Sequence, residues 1–456
     1  MKFKILIMIP LILLHFYGGA QESLSLSQAI ETGLKNNYDI TIVDKNVEMA
    51  ENSNNQGEAG RWPSLQFSLS QNNRASEQLV TATPYEPRGV GINNALTPGL
   101  NLNWTLFDGF NVNISKKKLE NLQLQSEGNA SIVISNTIQA IIFGYYLSSL
   151  ERERLEVFHN SLKLSNDRYR QMKLKKEYGS ANTTDLLLEE GNYLTDSISY
   201  INQELAYRAA IRVLNELLAV EDLEKEYVFT DSIEVSTREF NMTDLQSRMM
   251  ENNVDLKTKY LAQSIVKHDL NLAKSGRYPT ISLGASGFSN RVRSDNSQAE
   301  FFDFTSGGFQ KLPEDKQIAY TTNVSYTLNF SLTYNLFNGR KINTAIKNAK
   351  VREDIGNLEI ERMTLSLRKD LLSNFDNYNI RNRIYKINDR KLEVAALNLK
   401  ISGDKFKLGA INSIDYRVVQ VNYLSAALAE LNARYGLLES KIALMRLTGG
   451  ILEVYQ

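Results

Sequence analysis

The sequence contains no cysteine, and this absence excludes several kinds of site at once. Without a thiol the chain can form no disulfide, no cysteine-ligated metal centre, no thiol nucleophile and no lipid-modified N-terminal cysteine. Only seven prolines and three histidines occur among the 456 residues. The 52 basic residues equal the 52 acidic residues in number, so the net charge is zero. This balance argues against a nucleic-acid partner, which would require a basic face.

The N-terminal apolar run is too short for an ordinary membrane span and is typical of a secretory signal peptide. Lys2 and Lys4 precede an apolar stretch from Ile5 to Tyr17, and small residues follow up to Ala20. A membrane helix needs about 20 apolar residues, so we predict that residues 1–20 are a signal peptide cleaved after Ala20. An uncleaved anchor is the alternative. The mature protein is therefore predicted to leave the cytoplasm.

The chain contains two tandem repeats. NNYDI at residues 36–40 recurs as NNVDL, and GRWP at residues 60–63 recurs as GRYP, both at an offset of 216. LFDG at residues 106–109 recurs as LFNG at an offset of 230, which then holds without a gap. The offsets differ by 14, so the second copy holds 14 extra residues between Pro279 and Leu336. An insertion confined to one place indicates a tolerant loop.

Each repeat is predicted to contain a helix, a β-hairpin and a long helical hairpin. The first repeat covers residues 21–220, with the β-hairpin at about 62–107 and the helical hairpin at about 110–219; a linker covers 221–241; the second repeat covers 242–456, with the β-hairpin at about 278–337 and the helical hairpin at about 340–448. Polar segments at 75–95 and 290–320 are predicted to be the hairpin loops, facing the outside of the cell.

Residues 324–337, VSYTLNFSLTYNLF, show the clearest strand pattern. Apolar residues alternate with uncharged polar residues from Val324 to Leu336, which predicts a strand with one apolar face. Shorter alternating stretches at 65–69, 100–106 and 281–285 bring the prediction to four strands per chain. Lipid-facing strands of about 9–11 residues suit a transmembrane barrel. Four strands cannot close a barrel, so two, three or four copies of the chain must combine their strands.

Aromatic residues mark the ends of the predicted strands. Trp62 and Trp104 are the two tryptophans of the chain, and their repeat partners are Tyr278 and Tyr334. Four amphipathic rings at one end of four strands predict an aromatic girdle at the membrane interface. The alternative is that they are core aromatics at strand ends.

Apolar residues recur every seven positions in the long helical stretches. The series are Ile380, Ile387, Val394, Ile401 and Leu408; Leu424, Leu431, Leu438 and Met445; and Leu186, Tyr193, Tyr200, Tyr207 and Leu214. Sustained heptads predict coiled-coil packing. Gly179 and Gly409 are predicted to end one helix. Asn182 and Asn412 would begin the next helix, with Asp185 and Asp415 three positions later in a capping-box-like arrangement.

These features together resemble the TolC-like outer-membrane efflux protein family, also called outer-membrane factors. The matching features are the signal peptide, the two halves, GRWP and GRYP, LFDG and LFNG, and the turns at Gly179 and Gly409. The resemblance covers nearly all of the mature chain. It implies a mixed α and β fold, mainly α, in which a homotrimer forms a twelve-stranded transmembrane β-barrel with four strands per chain. A long periplasmic α-helical coiled-coil barrel continues it.

The resemblance also implies a function. Family members are channel-tunnels of the outer membrane that serve tripartite efflux or type I secretion systems as passive exit ducts. They dock a periplasmic adaptor (membrane fusion) protein bound to an inner-membrane transporter, which would be of RND, ABC or MFS type. The docking surface and periplasmic mouth would map to Gly179, Asn182, Asp185, Gly409, Asn412 and Asp415. Some members carry two acidic residues three apart at the mouth; Asp415 matches the first, but Val418 occupies the second.

Two other functional classes compete with this interpretation. A periplasmic or surface coiled-coil structural protein without a pore would explain the heptads, but not the four amphipathic strands. An enzyme is the second alternative. His159 and His268 lie in polar helical stretches without metal-ligand spacing, and no nucleophile set or phosphate loop appears. We therefore predict no catalytic, metal or cofactor-binding residues, and partners limited to protein and outer-membrane lipid.

Overall fold

The computed structural model of the chain describes residues 22–78, 87–233 and 239–451. The predicted signal peptide at residues 1–20 lies outside these ranges, as do parts of the first hairpin loop and of the linker. In chain order the elements are β1 (Glu22–Leu24), α1 (Leu26–Asn36), α2 (Tyr38–Ser53), β2 (Ser64–Gln78), β3 (Arg88–Asp108), α3 (Asn111–Glu177), α4 (Thr183–Leu217), β4 (Tyr227–Phe229), α5 (Met242–Asn252), α6 (Val254–Ser275), β5 (Thr280–Asp303), β6 (Gly308–Lys311), α7 (Glu314–Gln317), β7 (Ile318–Thr333), α8 (Lys341–Lys407) and α9 (Ser413–Leu447).

The long helices of the two repeats have equal lengths. α3 and α8 each contain 67 residues, and α4 and α9 each contain 35. At 1.5 Å per residue, a helix of 67 residues is about 100 Å long. Proline is absent from all four helices, so no residue lacks the amide donor or forces the kink that would interrupt them. The prediction of a mainly helical protein is confirmed.

The helix predicted at the start of each repeat is two helices. α1 ends before Asn37 and α5 ends before Asn253, and both asparagines have extended backbone conformations. The Asn37 side chain accepts a hydrogen bond from the backbone amide of Asp39 at 2.9 Å, and Asn253 accepts one from Leu256 at 2.9 Å. Each asparagine therefore ends one helix and caps the next, which a continuous helical periodicity did not reveal.

The four long strands form one antiparallel sheet in the order β2-β3-β5-β7. The short strand β6 pairs with the far end of β5, through Glu300 to Asp303. β6 and α7 lie in the interval where the 14 extra residues of the second repeat were placed. β7 ends at Thr333, three residues before the alternating pattern ends.

The strands extend well into the segments predicted as loops. β2 and β3 pair as far as Gln78 with Gly89, and β5 continues to Asp303. The alternation of apolar and polar residues stops earlier, because backbone pairing needs an adjacent strand and not an apolar face. Backbone pairing continues there without the sequence pattern that reports it. The two predicted loops are therefore largely strand in the described residues.

The chain divides into two compact units. One comprises Met1–Asp44, Asn129–Leu256 and Met363–Gln456; the other comprises Lys45–Gly128 and Lys257–Arg362 and contains the antiparallel sheet. Each sequence repeat contributes residues to both units, so the units do not coincide with the repeats.

The core of the first unit lies mainly among its helices. By length and composition α3 could cross a membrane. However, Ile138, Ile141, Ile142 and Tyr145 in its apolar stretch are fully buried in the core, together with Leu214. A second cluster contains Met249, Leu256, Leu371, Tyr378 and Leu444. The same unit holds a parallel pair of short strands, β1 and β4, which the sequence analysis did not predict.

Candidate functional site

One face of the sheet is an apolar band. Residues paired across antiparallel strands share a face, and the pairs Phe67 with Leu100 and Leu283 with Phe330 place large apolar side chains together. The band contains Leu65, Phe67, Leu69, Leu100, Leu102, Trp104, Ile281, Leu283, Val324, Tyr326, Leu328, Phe330 and Leu332. Most of these side chains are exposed in the single chain. An exposed apolar face of this size suits contact with lipid.

The opposite face is polar and almost uncharged. It carries Ser64, Gln66, Ser68, Thr97, Asn101, Asn103, Ser282, Ser286, Thr327, Asn329 and Ser331. Its polar groups contact one another across strands: Ser282 and Ser331 lie 2.7 Å apart, and Thr97 donates to Asn290 at 3.1 Å. A wall with one apolar and one hydrated face is what a water-filled barrel requires.

The sheet has two open edges in the described residues. β2 pairs only with β3, and β7 pairs only with β5. Backbone groups that stay unpaired in hydrocarbon cost several kcal/mol each. β2 and β7 run in opposite directions, because each step across the sheet is antiparallel. The edge of one chain can therefore pair antiparallel with the other edge of a neighbouring chain.

The four aromatic residues predicted as a girdle lie at the same end of the sheet. Trp62 precedes β2, Tyr278 precedes β5, Tyr334 follows β7, and Trp104 lies four residues before the end of β3. All four side chains are exposed. The Trp104 indole donates a hydrogen bond to the Arg61 carbonyl at 3.0 Å, so its polar edge is satisfied while its ring remains accessible.

The LFDG and LFNG motifs form the same backbone turn. Gly109 and Phe110 both have φ of +70°, and Gly339 and Arg340 both have φ of +66°. A Cβ atom at Gly109 would lie 2.5 Å from the Ser275 carbonyl oxygen, so the first position needs glycine for space as well as for conformation. The motif joins the end of a strand hairpin to the start of a long helix in each repeat.

Gly179 and Gly409 end the long helices with identical hydrogen bonds. The Gly179 amide donates to Lys176 at 3.0 Å and the Ser180 amide to Lys175 at 2.8 Å; the equivalent bonds in the second repeat are 3.1 and 2.8 Å. These are the two bonds of a Schellman motif. The glycines have φ of +71° and +73°, and a Cβ atom built at either position would meet no atom within 4 Å.

Asn182 and Asn412 cap the returning helices. Each side chain accepts a hydrogen bond from the backbone amide of the aspartate three positions later, Asp185 or Asp415, at 2.8 Å. Each aspartate lies in the first helical turn, where a negative charge is favoured by the helix dipole. The turns of the two repeats thus have the same local construction.

Large apolar side chains surround both turns without being buried. Tyr178 is 85% exposed and Leu408 is 83% exposed, and Leu187, Ile414 and Val418 are also exposed. Apolar residues clustered at an exposed helix end are typical of an interaction surface. We call residues 174–188 and 404–418 the helix-turn-helix tips. Each tip combines a glycine whose backbone is accessible with exposed apolar neighbours.

A buried ionic cluster lies farther along the same helices. Arg168 of α3 and Glu189 of α4 are 4% and 1% exposed, with Nε and Oε2 separated by 3.5 Å. Arg417 of α9 donates two hydrogen bonds of 2.7 Å to the carboxylate of buried Asp196. Burial lowers the pKa of the Arg168 guanidinium, while the nearby Glu189 carboxylate acts to raise it. Two positive and two negative groups therefore join helices of both repeats.

Sequence reasoning missed this cluster, although a signal was present. Glu189 and Asp196 are seven residues apart, and each follows an apolar heptad residue, Leu186 or Tyr193, by three positions. Three-residue spacing puts them on the same side of the helix as the apolar seam. Carboxylates that recur beside the apolar heptad residues of a helix predict buried partners of opposite charge.

The heptad series of α8 is not covered by its own chain. Ile380, Ile387, Val394, Ile401 and Leu408 are 46–83% exposed. By contrast, Tyr207 and Leu214 of α4 and Leu431 of α9 are buried. A second exposed series, Leu187, Leu194 and Ile201, runs along α4 with the same seven-residue step. Two exposed apolar stripes with heptad spacing are suited to pack against helices of another copy.

His159 and His268 belong to no metal-binding group within the described part of the chain. Within residues 22–78, 87–233 and 239–451, no cluster of three or more metal-ligating side chains occurs. His159 packs near Tyr200 with 5.7 Å between ring centroids. Burial lowers the pKa of His268, and the charge of Lys117 adds to this effect.

The amphipathic antiparallel sheet and the paired helical hairpins are features that the chain shares with solved outer-membrane channels. Residues 245–450 match the family model described as outer membrane efflux protein. No curated protein sequence matches the chain significantly.

Solved structures match nearly the whole chain. The CmeC outer-membrane channel of Campylobacter jejuni superposes with a TM-score of 0.73 at 16% identity, over 93% of this chain and 85% of CmeC. A membrane protein of Pseudomonas aeruginosa matches with a TM-score of 0.71 at 16% identity, over 93% of each chain. CusC, which forms a transmembrane channel, matches with a TM-score of 0.71 at 15% identity, over 93% of this chain and 92% of CusC.

These findings confirm the resemblance to the TolC-like outer-membrane efflux proteins. The chain has their fold, and its second repeat carries the sequence signature of the family. Together the match over residues 245–450 and the shared fold support an efflux channel of the outer membrane.

Proposed function

We propose that this chain is the passive exit duct of a tripartite efflux or type I secretion system and acts as a homotrimer. The open edges of the sheet carry the argument, because β2 and β7 can remain in lipid only if neighbouring chains pair them. Three copies would close twelve strands into one barrel. The apolar band would face lipid, and the polar face would line the water-filled channel.

The exposed heptad stripes support association along the helices as well. Counted from the tips, Leu187, Leu194 and Ile201 of α4 lie at nearly the same heights as Ile401, Val394 and Ile387 of α8. Both stripes advance by seven residues, so all three residues of the α4 stripe can face residues of the α8 stripe at the same time. We propose that α8 of one copy packs against α4 of the next, extending the barrel as a periplasmic tunnel.

The helix-turn-helix tips are the proposed docking surface for a periplasmic adaptor protein. Gly179 and Gly409 leave the backbone open to a partner, and exposed apolar side chains adjoin each of them. Asn182, Asp185, Asn412 and Asp415 would position these turns and line the periplasmic mouth. The adaptor would in turn bind an inner-membrane transporter of RND, ABC or MFS type.

Two further assignments belong to the same proposal. Trp62, Trp104, Tyr278 and Tyr334 would form the periplasmic girdle of the barrel, since they share one end of the sheet. The chain would be organised as signal peptide 1–20, first repeat 21–220, linker 221–241 and second repeat 242–456. Equal helix lengths and the constant offset of 230 support the division.

Native mass spectrometry of the protein extracted in detergent tests the trimer, and single-channel recording in planar bilayers tests the pore. We expect one species of three chains and a steady ionic conductance. A stable monomer or dimer with intact strands, or a trimer that conducts no ions, would contradict the proposal. Crosslinking from the tips in cells, followed by identification of the captured adaptor, tests the docking.

A further inference from the structure

Two arginines stand on the membrane-facing side of the sheet. Arg291 pairs with Thr322, and Arg293 pairs with Tyr320, in the continuous register of β5 and β7. Positions that differ by an even number along a strand share a face, so both arginines lie on the face of the apolar band. They follow directly beyond the row of Val324, on the side away from the aromatic girdle.

The two arginines are expected to lie at the boundary between the bilayer core and the lipid headgroups. A charged side chain on the lipid face of a barrel is costly at the bilayer centre and nearly free of cost where the lipid headgroups begin. β5 is paired on both sides, with β3 and with β7. A neighbouring copy joined at the open edges would therefore not cover Arg291 or Arg293, and both would face the membrane in the assembled barrel.

The two guanidinium groups differ in what they already contact. Arg293 donates to the Asp295 carboxylate at 3.1 Å. Arg291 is exposed and forms no ion pair within the described part of the chain. Tyr320, the register partner of Arg293, is a strongly exposed amphipathic side chain of the kind found at membrane interfaces. The patch is thus cationic, unshielded at Arg291 and bordered by an interfacial tyrosine.

We propose that Arg291 and Arg293, with Tyr320 beside them, bind the phosphate groups of an outer-leaflet membrane lipid. A guanidinium presents paired donors that match two phosphate oxygens. Lipid headgroups border the hydrocarbon core of a bilayer, so the phosphates would lie beside the end of the apolar band once the strands are embedded. The inference rests on the proposed function, because it requires the strands to be embedded with residues 304–317 outside.

Binding of lipid A, a glycolipid carrying two phosphates, to the purified trimer in phosphatidylcholine nanodiscs tests the inference. We expect Arg291→Gln combined with Arg293→Gln to lower the affinity at least fivefold, since an unpaired basic residue at an anionic surface contributes about fivefold and Arg293 is already paired with Asp295. Arg74→Gln is the matched control. Arg74 is at nearly the same height on the opposite, polar face, where its register partner is Asn93, so the affinity should not change.

Two further measurements keep the test decisive. Arg291→Gln alone breaks no ion pair within the described residues and should lower the affinity about fivefold. Excess inorganic phosphate should not displace lipid A; complete displacement would identify a site for free anions and overturn the lipid assignment. Equal affinity in wild-type protein and both arginine variants, or an equal loss with Arg74→Gln, would also overturn it.

The trimer mass and channel conductance are measured on the same samples. A conducting trimer that shows no preference for lipid A would refute the lipid site and leave the proposed function intact. A chain that forms no conducting trimer would refute the proposed function itself.

Discussion

The side-chain amide of Asn37 donates a hydrogen bond to the backbone carbonyl of Leu217 at 3.0 Å, and Asn253 donates to Leu447 at the same distance. In each repeat this bond connects the asparagine between two helices, α1 and α2 or α5 and α6, to the last residue of the returning helix, α4 or α9. The recurrence of NNYDI as NNVDL therefore has a structural reason. The second asparagine caps one helix and satisfies a carbonyl at the end of another.

Asn37→Ala is expected to lower the free energy of unfolding by about 1–3 kcal/mol, because it leaves the Leu217 carbonyl without this donor and removes a helix cap. Thermal unfolding of the purified protein, followed by circular dichroism, measures the effect. Asn36→Ala is the control, since Asn36 is exposed and forms no hydrogen bond outside its helix. Equal unfolding temperatures for the two variants would show that the Asn37 side-chain amide does not contribute to stability.

Asp196→Ala is expected to lower the free energy of unfolding by about 3 kcal/mol or more, because it leaves the partly buried Arg417 guanidinium without its carboxylate partner. A double-mutant cycle with Arg417→Met isolates the coupling between the two side chains. Glu393→Ala breaks an exposed ion pair with Arg390 and should change stability by less than about 1 kcal/mol. A coupling energy below about 1 kcal/mol between Asp196 and Arg417, the range of exposed ion pairs, would contradict a stabilising role for the buried pair.

A disulfide between Leu194→Cys and Val394→Cys is expected to link different copies of the chain. The wild-type chain contains no cysteine, so non-reducing electrophoresis after mild oxidation reports only the engineered pair. Leu194→Cys combined with Ile380→Cys should not crosslink, because Ile380 lies about 20 Å farther along α8. Equal crosslinking of both pairs, or of neither, would argue against this interface.

Gly409→Leu is expected to reduce export while trimer assembly and membrane insertion persist. Gly409 has φ of +73°, where a leucine costs about 1–2 kcal/mol, so strain must be separated from lost docking. Gly409→Asn is the control, because asparagine tolerates this conformation and is smaller. Export and trimer yield are measured for each variant. A parallel fall in both would limit Gly409 to ending a helix, and normal export from a stable leucine variant would remove it from the docking surface.

An epitope inserted after Gly307 is expected to bind antibody on intact cells. Gly307 lies in the turn between β5 and β6, with φ of +68° and no atom near its added Cβ position, so an insertion there disturbs little. Long loops of outer-membrane barrels face outward. The same epitope inserted after Ser180 should be accessible only after lysis. The reverse pattern of labelling would invert the topology.

The sequence predicts most of the regular elements because their signals are local. Heptads and the absence of proline predicted helical hairpins at about 110–219 and 340–448, where the structure has α3 with α4 and α8 with α9. Positive φ at Gly179 and Gly409, and the caps at Asn182 and Asn412, follow from chemistry within a few residues. Strict alternation located the parts of the strands that carry the apolar band, since only there is one face of the sheet apolar.

The sequence by itself determined the two repeats, the helical hairpins and the amphipathic character of the sheet. Only the tertiary structure decided that Asn37 meets Leu217, that Arg417 meets Asp196, and that the heptad series of α8 stays exposed in the single chain. Periodicity shows which side of a helix is apolar, but the partner of that side depends on residues far away in sequence. The strands also continue past their alternating pattern, because backbone pairing needs an adjacent strand and not an apolar face.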